Sequence, residues 1–133
     1  MFWFCFDWET ELIDYRFVFQ IVPKIVSSPK NVSAVVGHNI SFLCQIETQT
    51  EPPVEFSWLK NGRLLDETRV EQTGQTTVRM TDNDTIGSLA LNNIRESDDG
   101  LYECMATNHL GYDISSAASL TVESKPLIIL ILL

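Results

Sequence analysis

A chain of 133 residues with 44% hydrophobic and 20% charged residues has the composition of one ordinary globular domain rather than a disordered segment. Nine Lys and Arg stand against 18 Asp and Glu, a formal net charge of −9, and no run of even three basic residues exists. That speaks against nucleic acid or an anionic membrane surface as the partner, and two histidines, His38 and His109, leave little for a histidine-based metal site or triad.

The first 19 residues hold eight aromatics: Phe2, Trp3, Phe4, Phe6, Trp8, Tyr15, Phe17 and Phe19. Asp7, Glu9 and Glu11 follow the apolar opening at once, and a basic start and a small-residue cleavage site are missing, so this stretch does not read as a secretory leader. Residues 1–22 are expected to stand apart from the domain. Cys5 lies here, an odd thiol that in a secreted protein would be reactive or intermolecular.

Residues 23–123 form a coherent block of short alternating segments with turn signals between them, and no sustained helical period. Lys30–Val36 is predicted as the first strand, closed by Gly37. Ile40, Phe42 and Cys44 then alternate with Asn39, Ser41 and Leu43. Val54, Phe56 and Trp58 alternate with Glu55 and Ser57, and Asn61-Gly62 is a strong hairpin signal because both residues tolerate positive φ. Leu64 and Leu65 return. Val78–Thr81 and Ser88–Ile94 read as a hairpin around Asp82-Asn83-Asp84. Leu101–Asn108 presents Tyr102, Cys104 and Ala106 on one face, Leu110-Gly111 turns the chain, and Ile114–Val122 closes the set. Residues 124–133 form an apolar tail. Its last seven residues, Leu127–Leu133, are too few to cross a bilayer, which takes about 20. The expected class is all-β, a sandwich or a barrel.

Four motifs narrow this. They are Ser41-Phe-Leu-Cys44, Phe56-Ser-Trp58-Leu-Lys60-Asn-Gly62, Ser88-Leu-Ala-Leu91 with Asn93-Ile94, and Asp98–Cys104 followed by Ala106-Thr-Asn108. Together they resemble an immunoglobulin-like domain of the intermediate type (I-set), across roughly three quarters of the chain. The resemblance implies a two-sheet antiparallel sandwich of Greek-key topology, with Trp58 and Tyr102 as core residues. It also implies a Cys44–Cys104 bridge, with two buried free thiols as the alternative that sequence leaves open. An ion pair at the sandwich floor is implied for Asp98, with Arg79 as partner and Arg69 as competitor.

Three sequons, Asn31-Val-Ser33, Asn39-Ile-Ser41 and Asn83-Asp-Thr85, are formal glycan acceptors at outward or turn positions. Asp82–Asn93 fails as a calcium loop, with Ile86 at its fifth position and Asn93 at its twelfth. No nucleophile elbow, P-loop or dinucleotide fingerprint occurs, and Asp98-Asp99 is a carboxylate pair in sequence only. The expectation is therefore a non-enzyme with no metal, cofactor or small-molecule substrate. The segments are similar to domains of Down syndrome cell adhesion molecule, contactins and receptor tyrosine phosphatases. This implies an extracellular, cell-surface recognition module docking a protein partner, homophilic or heterophilic. The alternatives are an intracellular muscle or cytoskeletal module with reduced cysteines, and a gene fragment of a larger adhesion protein.

Overall fold

The computed structural model describes residues 21–66 and 75–125. Ten strands fill them: β1 (Ile25–Ser27), β2 (Val32–Val35), β3 (Ile40–Ile46), β4 (Glu55–Lys60), β5 (Arg63–Leu64), β6 (Thr77–Asp82), β7 (Ile86–Asn92), β8 (Gly100–Asn108), β9 (Gly111–Ile114) and β10 (Ala118–Glu123). The helical content of the described residues is one 3-10 turn, Glu96–Asp98.

The strands make two sheets. One runs β1-β3-β7-β6; the other runs β2-β10-β8-β4-β5, with β9 also on β8. Pairing is antiparallel throughout except β2 with β10, which is parallel. The chain changes sheets between β1 and β2, at Ser28-Pro29-Lys30-Asn31, where a proline lacks the N–H that a ladder would use. The expected first strand, Lys30–Val36, is β2 at the edge of the second sheet; β1, which opens the first sheet, precedes it and was not expected.

Period-two alternation sets which side chains go inside. In β3 the buried residues are Phe42, Cys44 and Ile46; in β7, Leu89 and Leu91; in β8, Tyr102, Cys104 and Ala106. Trp58 is 1% exposed and packs between the sheets, with its ring centroid 6.4 Å from that of Phe42. Phe42 in turn stacks on Tyr102 at 5.1 Å. Gly87 on β7 lies tight against Phe56 of β4 across the core. A Cβ there would stand 2.6 Å from the Phe56 ring.

The expected turns form. Asn61 (φ 51°) and Gly62 (φ 80°) both sit in the left-handed region and join β4 to β5. Asn83 closes the β6–β7 hairpin by accepting from the backbone N–H groups of Thr85 (3.0 Å) and Ile86 (2.8 Å). The predicted last strand is broken. β9 ends at Ile114 and β10 starts at Ala118, because buried Ser115 takes over the pairing: its Oγ accepts from Cys104 N–H at 2.9 Å and its N–H donates to Cys104 C=O at 2.9 Å.

Candidate functional site

Cys44 on β3 and Cys104 on β8 are disulfide-bonded, with Cα atoms 6.3 Å apart, so one covalent link crosses from sheet to sheet. Tyr102, two residues before Cys104, donates its hydroxyl to the Asp98 carbonyl at 2.6 Å. That bond ties β8 to the 3-10 turn beneath it. The Trp58 Nε1 has no hydrogen-bond partner among the described residues. The indole therefore serves as apolar volume in the core, against the Phe42 ring and beside the bridged Cys104.

Arg79 is a correction. The structure does not bring it to Asp98. Arg79 lies opposite Ala90 on the outward side of β6, between the partly buried Val78 and Met80. Strand alternation turns its side chain away from the sandwich floor. Asp98 is instead engaged locally. Its carboxylate accepts from the Arg95 backbone N–H at 2.7 Å and from the Thr76 hydroxyl, stapling the start of the 3-10 turn to the approach to β6. Arg69, the competitor, and Cys5 lie outside the described residues.

The three sequon asparagines are all exposed and share one geometry. Asn31 Oδ1 accepts from Ser119 N–H at 2.9 Å, Asn39 Oδ1 from Asn93 N–H at 2.9 Å, and Asn83 Oδ1 from the two N–H groups of its hairpin. In each the carbonyl oxygen holds the fold, while Nδ2, the atom a glycan would join, donates no hydrogen bond among the described residues.

The two outer faces differ. The register places Ser41, Leu43, Ser88, Ala90, Arg79 and Thr81 together on the first sheet, a mostly small and polar surface. On the second sheet, Leu64 lies opposite Leu59, Leu59 opposite Glu103, Met105 opposite Ile114, and Thr107 opposite Tyr112. Leu64 (65%), Tyr112 (63%), Leu101 (50%) and Ile114 (42%) are well exposed. Sequence reasoning missed this surface. Its signal was present as apolar residues at the outward positions 59, 101 and 105.

The immunoglobulin-domain family model matches residues 22–108. The chain belongs to that family. Leucine-rich repeats and immunoglobulin-like domains protein 3 of Homo sapiens is 31% identical over 107 residues, which are 78% of this chain and 9% of that protein. Tyrosine-protein kinase receptor TYRO3 of Mus musculus is 28% identical over 77% of this chain and 11% of its own length. This immunoglobulin domain thus spans about a tenth of such relatives. Among solved structures, the N-terminal Ig1-2 module of the Drosophila receptor protein tyrosine phosphatase DLAR is similar. Its TM-score is 0.64 at 30% identity, over 80% of this chain and 52% of that one. Titin M4, at 23% identity and a TM-score of 0.61, shares the fold. Adhesion- and receptor-type proteins are therefore among the homologues of this domain.

Proposed function

We propose that this immunoglobulin domain is a non-catalytic recognition module of an extracellular, cell-surface protein, and that it binds a protein partner through its sheet surfaces. The observation that carries the reading is the membership itself: an immunoglobulin domain with receptor-type relatives. Two features support it. The bridged Cys44–Cys104 pair suits an oxidising compartment. The three sequon asparagines are exposed, are anchored through Oδ1, and have no Nδ2 hydrogen bond among the described residues. The chemistry is that of complementary surfaces, with affinity set by a few anchors and raised by multivalency where domains stand in tandem.

The test is the intact mass of the protein from its native source, before and after enzymatic deglycosylation, with thiols alkylated under non-reducing conditions. Glycan mass and unalkylated Cys44 and Cys104 are expected. A bare mass with both cysteines alkylated would refute the extracellular assignment and favour the intracellular structural module.

A further inference from the structure

We propose that Asn61-Gly62 is a modification site at which the folded domain reacts with water, losing the Asn61 side-chain amide and gaining a carboxylate. The inference goes beyond the recognition reading and stands without it.

The sequence singles the position out. Asn61 alone precedes a glycine; the other asparagines precede Val32, Ile40, Asp84, Asn93, Ile94 and His109. The reaction begins when the backbone nitrogen of the following residue attacks the asparagine Cγ. A side chain on that residue crowds the attack, a β-branched one most of all, and glycine has none. Asn93 makes the contrast. It shares the left-handed backbone of Asn61, with φ 58° against 51°, but the next residue is Ile94, which is 0% exposed.

The structure adds three observations. First, exposed Asn61 is clamped to β8: its N–H donates to the Leu101 carbonyl at 2.8 Å, and its Oδ1 accepts from Leu101 N–H at 2.9 Å. That N–H stands on the oxygen that turns negative as Cγ is attacked, which lowers the barrier. Second, Gly62 is free to move. A Cβ there would have nothing within 4 Å, and the ladder pairs Lys60 with Arg63, leaving the Gly62 amide outside it. Third, β5 is two residues long, and both are exposed. So short an edge opens locally without global unfolding, which brings the Gly62 nitrogen onto Cγ.

The step balances with water alone. The Gly62 amide proton passes to hydroxide and the N–Cγ bond forms. The Cγ–Nδ2 bond breaks and ammonia leaves, giving a five-membered imide. Water opening the N–Cγ bond leaves an aspartate in the ordinary chain. Water opening the bond to the main-chain carbonyl leaves an isoaspartyl linkage, with one more atom in the backbone. The aspartate keeps an oxygen for Leu101 N–H. The isoaspartyl turn is one atom too long for the Lys60–Arg63 and Leu59–Leu64 pairing, and for the Leu65 N–H bond to the Trp58 carbonyl.

The experiment holds the full, disulfide-intact chain in mildly alkaline buffer at physiological temperature. It follows the chain by peptide mapping and by labelling with an isoaspartyl methyltransferase. The peptide holding Asn61 should gain about 1 Da, sooner than any other asparagine peptide, and should take up the methyl label. Asn61→Asp should show no gain there. In the isoaspartyl fraction Leu65 should lose hydrogen-exchange protection, while β3 and β7 keep theirs. A gain at Asn61 that appears only in urea with reductant would belong to the unfolded chain and overturn the site. Earlier reaction at Asn83 or Asn108, or none at Asn61 under either condition, overturns it too.

Discussion

A methyl group at Gly87 has no room: it would meet Cδ1 and Cγ of Phe56 at 2.6 Å. Gly87→Ala is therefore expected to cost about 1–3 kcal/mol of stability by overpacking, read from urea unfolding. Combining it with Phe56→Ala should give less than the summed loss, because the second change removes the clashing ring. Tyr102 makes the complementary case. Tyr102→Phe keeps the ring stacked on Phe42 and removes the hydroxyl that donates to the Asp98 carbonyl, so about 1 kcal/mol should go. The sequon asparagines separate fold from modification in the same manner. Asn→Asp at 31, 39 or 83 keeps an oxygen acceptor for the backbone N–H while abolishing the sequon. Each Asp variant should lose one glycan in mass with little change in melting. Asn83→Ala, which also strips the hairpin of its two side-chain bonds, should cost about 1 kcal/mol besides. A mass unchanged by all three Asp variants would remove glycosylation from the account.

At the scale of elements, the Asn61-Gly62 turn should set the β4–β5 register. Asn61 holds φ 51° and its Oδ1 accepts from Leu101 N–H at 2.9 Å, linking this hairpin to β8. Asn61→Ala loses that bond and places a less tolerant residue in the left-handed region, an expected loss of about 1–2 kcal/mol. Such turns were legible because local chemistry demands them. So were β3, β4, β6, β7 and β8, whose inward residues alternate over four positions or more. β1 was not. Three residues between Pro23 and Pro29 show no period, and β1 is held from far away: by β3, and by the Ile25 N–H donating to Asp113 at 2.8 Å, 88 residues on. The β9–β10 break was hidden for a related reason. Its cause is the Ser115 hydroxyl reaching Cys104, a contact that alternation does not encode. Arg79 failed as a partner of Asp98 although strand parity could have excluded it, since Val78 and Met80 claim the inward side. The apolar outer face was half legible. Leu59 and Met105 break the polar side of their strands, but only the register shows that Leu64 and Ile114 adjoin them.

For the molecule as a whole, the disulfide and the chain entry decide what folds. The Cys44–Cys104 bridge closes 60 residues between the two sheets, and loop-closure entropy puts its contribution at about 4 kcal/mol. That is a large share of the roughly 5–15 kcal/mol available to a domain, so reduction should leave a marginal fold, seen as a lower urea midpoint in dithiothreitol. The entry matters at its first two described residues. Asn108 Nδ2 donates to the Ile21 carbonyl at 2.8 Å, and Val22 would lie 3.1 Å from a Cβ at Gly111, so both residues rest on the β8–β9 turn. Residues 21 and 22 thus sit against the domain, although the sequence grouped them with the aromatic segment before it. Residues 21–125 should fold cooperatively under oxidising conditions. Starting at residue 23 should lower stability by about 1 kcal/mol through the lost hydrogen bond and apolar contact, and should loosen the β8–β9 turn in hydrogen exchange before any other hairpin. Equal stability of the two lengths would mean that Pro23, which is buried, is where the domain effectively begins.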